Sequence, residues 1–228
     1  KLEKPGGRFL SCVIVPLPEA PGEGGGAVPE QRAVDLPGGG RVLVGRPEDK
    51  LGIRLSNTAS VTFEDVIVPQ DQLVGDRRQG FSYIVDVLDY ARPMVAAIAL
   101  GVARRALDLT LAYTRERKQF GSRICDLPVA RETLVAMWKK VELAELALLK
   151  AAAKIQEQAH DRGLYASLAK NTAAEAALFC AAEGLHLHGG YGFTNEYEIA
   201  KLARDAHILD IYEGVREVQH MIMGREIV

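Results

Sequence analysis

The hydrophobic pattern of this chain changes period once, near Gly80, and that change limits the folds open to it. Beyond Gly80, Ile84, Leu88, Ala91, Val95, Ile98, Val102 and Leu109 fall three or four apart on one stripe, which predicts a long amphipathic helix. From Phe81 to Tyr113 such a helix reaches roughly 50 Å, too long for a solitary small domain, and Pro93 is placed to kink it. A second stripe, Ala130, Leu134, Met137, Val141, Ala144, Leu148, Ala151 and Ile155, alternates steps of four and three. Arg131, Lys140, Glu142 and Lys154 lie off it, as bundle packing requires. A third helix, about Tyr165 to Leu187, spaces Ala166, Ala169, Ala173, Ala176 and Ala177 so that a neighbour can approach closely. Gly189, Gly190 and Gly192 then stop it. The segment "EGVREVQHMIMGREIV" reads as a closing helix with its N-terminus near Glu213 and Gly214.

Before Gly80 the text differs. Short β-branched runs, "FLSCVIV", "RVLV" and "SVTFEDVIV", are separated by glycine and proline, which predicts strands and turns. Residues 17–40 read as a long surface excursion between strands. The expected class is therefore α+β, mostly α: β structure over 1–79 and an antiparallel helical bundle over 80–228.

Composition narrows the function. At 228 residues and 48% hydrophobic, the chain can bury a core as one large domain or two small ones. A net charge of -2 supplies no basic field for nucleic acid or an anionic membrane, so a small or neutral partner is expected. Cys12, Cys125 and Cys180 are odd in number and widely spaced, which suggests neither a disulfide framework nor a zinc cluster and fits a reducing interior. No uninterrupted apolar run approaches a membrane span and the opening Lys-Leu-Glu-Lys has no signal-peptide pattern. The expectation is a soluble protein, cytoplasmic or, in a eukaryote, of the mitochondrial matrix. A first residue other than methionine, close to a strand-like run, suggests a fragment or a processed chain.

Few groups suggest chemistry by themselves. In "HLHGGYGF", His186 and His188 at i, i+2 point to different helix faces, without a supporting Cys, Asp or Glu, so no metal is expected. The glycines match neither the dinucleotide fingerprint nor the Walker loop. Spacing favours a C-cap and turn, and leaves open a backbone contact to a phosphate delivered there. Arg115, Arg117 and Lys118 in "YTRERKQFG" fit a solvated helix end or an anion site. Glu213, at a predicted helix start, fits simple dipole chemistry or catalysis.

Taken together, "EDKLGIRLSNTASVTFEDVIVPQDQLVGDRRQGF", "YTRERKQFG" and "LHLHGGYGFTNEYEIAKLARDAHILDIYEG", in that order, resemble the acyl-CoA dehydrogenase family along almost all of residues 48–228. The family fold has an N-terminal helical domain, a middle β domain and a C-terminal four-helix bundle, commonly assembled as a tetramer. The resemblance implies that this chain holds part of the middle β domain plus the bundle, and that it completes its site within a homo- or hetero-oligomer. It implies FAD as cofactor and an acyl-CoA substrate, with Glu213 removing the α-proton while the β-hydride passes to flavin N5. Such a base works where apolar surroundings raise its proton affinity and donors hold the thioester oxygen. Some branches keep the base one residue before the arginine matched by Arg92; Ala91 stands there, which leaves Glu213 as the only candidate.

The resemblance further assigns substrate contacts to Asp89, Arg92 and Tyr212, with Arg92 equally able to brace helices. Arg117, Lys118, Gln119 and Phe120 match the segment that reaches a neighbouring subunit's flavin, the arginine at its pyrophosphate. Gly189 and Gly190 match backbone contacts to the dinucleotide, and Gly214, which follows the base, is a further implied cofactor contact. Electron-transfer flavoprotein is the implied acceptor. Departures lie at His186, where glutamine is common; Val215, where a threonine hydroxyl usually meets flavin; Glu217, in place of a neutral glutamine; and Leu127-Pro128, in place of a polar pair. They imply weaker flavin binding or unequal sites between subunits. The alternatives are a structural subunit that completes a partner's flavin site, an acyl-CoA oxidase of the same fold, or a flavin enzyme acting on amines or nitro compounds.

Overall fold

The structure is a computed structural model and describes residues 10–17 and 31–228. The strand run expected from Phe9 is described only from Leu10, and residues 18–30 of the expected excursion lie outside the described residues. The fold is α+β and mostly α, with two compact units: residues 1–50 with 54–86, and residues 51–53 with 87–228.

The first unit carries five short strands: β1 (Cys12–Val13), β2 (Gln31–Asp35), β3 (Arg41–Gly45), β4 (Val61–Glu64) and β5 (Leu73–Val74). β2, β3 and β4 form an antiparallel sheet in that order, and β1 pairs antiparallel with β5. Gln31–Asp35 therefore narrows the expected excursion: its burial alternates along the strand, and its register sets Val34 opposite Val42, both buried. The "PGGG" turn closes the hairpin, since Gly39 and Gly40 take positive φ (99° and 75°) and Leu36 N–H bonds the Gly40 carbonyl at 3.0 Å.

The second unit is a helical bundle. Its helices are α1 (Gly80–Glu116, whose first turns belong to the β unit), α2 (Pro128–Gln156), α3 (Arg162–His188), α4 (Glu198–Ile211) and α5 (Arg216–Ile227). A tight hairpin, β6 (Lys118–Gln119) and β7 (Ser122–Arg123), joins α1 to α2. The short connections at 117–127 and 157–161 are those of antiparallel neighbours. α3 is central and packs against α2, α4 and α5. The predicted alanine stripe is fully inside, and the α2 stripe is buried along most of its length. Gly184 shows how closely helices approach: a Cβ there would sit 2.6 Å from Thr110 Oγ1 and 2.7 Å from Ile199 Cδ1. Burial pushes the Cys180 thiol up to about 12, so this cysteine acts as an inert core residue.

Three sequence expectations change. α1 is one helix through a buried Pro93, and its inward face runs through Ala96, Ala99, Ala103, Ala106 and Thr110, whereas Ile84 and Ile98 on the predicted stripe are exposed. Close helix contact selects small residues, while Val95 of the predicted stripe is buried beside them and its Val102 and Leu109 pack against the core. α4 was not anticipated as a separate helix; it caps the core through Ile199, Leu202, Ala206 and Leu209. Residues 51–53 travel with it, because Ile53 N–H bonds Asp205 Oδ1 at 2.6 Å. Finally, α5 begins at Arg216, which leaves Glu213 in the connection before it rather than in its first turn.

Candidate functional site

The α4–α5 connection has unusual backbone. Glu213 adopts φ +56° and Gly214 φ +98°, and a left-handed glutamate costs about 1–2 kcal/mol unless its surroundings impose it. Two fully buried side chains impose it here. Gln219 Nε2 donates to the carbonyls of Glu213 (3.1 Å) and Gly214 (2.8 Å), and Lys170 Nζ, reaching from α3, donates to the Gly214 carbonyl at 2.9 Å. At φ +98° any side chain on residue 214 would be strained, and a Cβ there would also stand 2.5 Å from Gln219 Nε2 and displace it, so the turn favours glycine. Arg216 and Asp210 tie the two helix ends at 2.6 Å.

This turn draws its carbonyls inward and leaves other groups uncommitted. Among the described residues, no acceptor bonds the N–H of Glu213 or Gly214, and no donor or cation pairs directly with the Glu213 carboxylate. The carboxylate is half-buried and within electrostatic range of Arg92 and Lys170. Tyr212, beside it, is half-buried, and burial raises its phenol.

Asp89 and Arg92 lie one turn apart on α1, both buried, with Arg92 Nη1 3.1 Å from Asp89 Oδ1. Arg162, at the start of α3, approaches the other carboxylate oxygen at 3.7 Å. Burial lowers the Arg92 proton affinity, opposed first by Asp89 and then by Glu213. The Arg92 ion pair thus stays within α1, and the contact from α3 comes through Arg162, in a place where the Arg92 guanidinium also feels Glu213.

A second feature lies at the other end of α3. Tyr113, Arg117, Gln119, His186, Gly189 and Gly190 line a concavity of about 500 Å³. The helix stops at Gly189, whose φ is +62°, and a Cβ on either Gly189 or Gly190 would meet nothing within 4 Å, so the backbone is open to a ligand. His186 is exposed, whereas His188 is buried: its ring stacks on Tyr113 (4.2 Å between centroids) and its Nδ1 lies 2.6 Å from the Gly184 carbonyl. Tyr113 in turn donates to the His188 carbonyl at 3.2 Å, and the Arg117 guanidinium stands over the Tyr191 ring at 5.3 Å. Open glycine backbone beside an arginine and an exposed imidazole fits a phosphate-bearing group. Among the described residues, no three His, Cys, Asp or Glu side chains are grouped to hold a metal, and no helix is long and apolar enough to cross a membrane.

The sequence-selected residues thus divide. Arg117, Gln119, His186, Gly189 and Gly190 share the concavity; Asp89, Arg92, Tyr212, Glu213 and Gly214 belong to the other end of the bundle or its turn. Lys118 and Phe120 are exposed on the hairpin and do not line the concavity, nor do Val215 and Glu217 at the start of α5. Phe120 has φ +53°, next to Gly121 at +78°, which makes the primed turn a two-residue hairpin needs but puts a bulky ring where asparagine is usual. Lys170, Gln219 and Arg162 were missed. The signal for Lys170 was its spacing, since it stands in the buried row Ala166, Lys170, Ala173, Ala177.

A family model described as the C-terminal domain of acyl-CoA dehydrogenase matches residues 78–228. The chain is 35% identical over 224 residues to the probable acyl-CoA dehydrogenase YngJ of Bacillus subtilis (strain 168), covering 98% of this chain and 53% of that protein. The structure is similar to butyryl-CoA dehydrogenase from Megasphaera elsdenii, with a TM-score of 0.85 and 33% identity over 99% of this chain and 53% of that one. It is also similar to a chain in the structure of the electron transferring flavoprotein of Acidaminococcus fermentans, with a TM-score of 0.80 and 34% identity over 84% and 50%. The chain spans about half the length of the curated relatives it matches.

Proposed function

Because this chain belongs to the acyl-CoA dehydrogenase family, we propose that it serves in the α,β-dehydrogenation of an acyl-CoA thioester to the 2,3-enoyl-CoA. Glu213 is the base. The observation that carries this reading is the uncommitted, half-buried carboxylate on a left-handed turn whose carbonyls are held from behind. A Glu213 carboxylate oxygen accepts the α-proton, and the electrons of that C–H bond become the new double bond as hydride leaves the β-carbon. The free N–H of Glu213 is available to the thioester oxygen, where developing negative charge is stabilised. Arg92, buried and ion-paired with Asp89, lies within electrostatic range of the carboxylate.

FAD is the proposed cofactor, and when bound it supplies the two-electron acceptor for the β-hydrogen. Arg117, Gln119, His186, Gly189 and Gly190 would hold its phosphate-bearing portion, with Lys118 and Phe120 on the adjoining hairpin. Flavin, substrate and a partner copy are proposed to meet in an oligomer, and an electron-transfer flavoprotein is the proposed acceptor. The likeness to a chain in the Acidaminococcus flavoprotein structure supports that choice.

The test is product chemistry. Acyl-CoA added without oxygen to the flavin-loaded protein should bleach the flavin and yield a CoA ester two hydrogens lighter. Peroxide on aerobic turnover would move the protein to the oxidases. A yellow protein that leaves acyl-CoA unchanged would refute the dehydrogenase reading.

A further inference from the structure

We infer that Lys170 and Gln219 are positioning residues that clamp the Glu213–Gly214 turn and so aim the carboxylate. This inference rests on Glu213 being the base. Both side chains are fully buried, and together they send three hydrogen bonds to two successive carbonyls: 2.9 Å from Lys170 to Gly214, 2.8 Å from Gln219 to Gly214 and 3.1 Å from Gln219 to Glu213. Turning those carbonyls inward fixes the two peptide planes that also carry the N–H groups of Gly214 and Val215, and among the described residues the Gly214 N–H has no acceptor.

The chemistry of Lys170 sharpens the point. An ammonium at zero exposure is costly, and such groups in soluble proteins are normally neutralised by a paired carboxylate. Among the described residues Lys170 makes no ion pair; its direct partner is a neutral carbonyl, and Asp210 acts on it only from farther away. Burial lowers its proton affinity, with Asp210 opposing, and Glu213 is among the charges it feels. A methionine or leucine would fill the same row of α3 at less cost, so packing does not account for the lysine. What lysine adds is a long, charged donor that reaches the carbonyl following the base. Gln219 completes the clamp from the first turn of α5, and its Nε2 occupies the space that a Cβ on Gly214 would need.

The test uses the flavin-loaded protein with Lys170→Met, Gln219→Met and Glu213→Gln, mixed rapidly with acyl-CoA that is unlabelled or deuterated at the α-carbon. The clamp predicts that either methionine variant slows flavin bleaching by roughly tenfold to a hundredfold, as expected for a base displaced by about an ångström. The α-deuterium isotope effect should rise, and acyl-CoA affinity should change less than about twofold, because proton removal rather than binding is impaired. Amide exchange at residues 212–219 should accelerate while α2 and the centre of α3 keep their protection. Glu213→Gln separates the two levels: bleaching by that variant would remove the base assignment, and the exchange measurement still reads the clamp. Loss of bleaching in Glu213→Gln with wild-type rate, isotope effect and exchange in both methionine variants would overturn the clamp alone. Exchange accelerated across the whole bundle in both variants would also overturn it, since the two residues would then support the core and not the turn.

Discussion

His188 shows what a single buried side chain does to the behaviour of the whole site. Burial lowers its proton affinity, the Gly184 carbonyl opposes this, and the neutral ring stacks on Tyr113. The folded pKa lies below the unfolded value near 6.5, so the unfolded chain takes up the proton first as pH falls. Stability is therefore full above about pH 6.5 and declines as pH drops from there through the folded value. His188→Phe, which keeps the stack and removes the proton, should flatten this acid limb in thermal melts across pH 5–8; an unchanged limb would place its origin elsewhere. The two histidines also mark where residue-level reading succeeds. Their spacing placed them on different faces, and one is exposed and the other buried. Lys170 and Gln219 were harder, because a polar residue in an apolar row looks like noise until a carbonyl is found opposite its tip.

The hairpin β6–β7 is the element most at odds with its own sequence. Phe120 sits at positive φ with its side chain 91% exposed, which is unfavourable twice over for a phenylalanine. Phe120→Asn suits a primed turn and should raise stability by about 1 kcal/mol. If the ring meets flavin as proposed, the same substitution should weaken flavin retention, which gel filtration of the yellow protein would report. A rise in both would remove Phe120 from the cofactor contacts. The hairpin was visible only as a charged helix end, since two-residue strands carry no periodic signal. Helix α2 was legible almost residue for residue because one face alone is buried. In α1 the buried and exposed faces both carry apolar residues, so Val95 of the expected stripe lies in the core while Ile84 and Ile98 lie at the surface.

At the scale of the molecule, the chain spans about half of its matched relatives and leaves a second apolar stripe on α2, where Val135, Trp138, Leu146 and Leu149 are exposed at helical spacing. Such a stripe predicts association: sedimentation should find species larger than one chain, and Trp138→Lys with Leu146→Lys should shift them toward monomer. A wild-type chain that is monomeric at every concentration would contradict this. The change of period near Gly80 made the class legible, but α4 and the turn before α5 escaped, because a connection is specified by tertiary hydrogen bonds rather than by any repeat. That turn carries the proposed base. In the flavin-loaded protein mixed anaerobically with acyl-CoA, Glu213→Gln should still bind substrate and lose flavin bleaching, and bleaching at the wild-type rate would show that another group removes the proton.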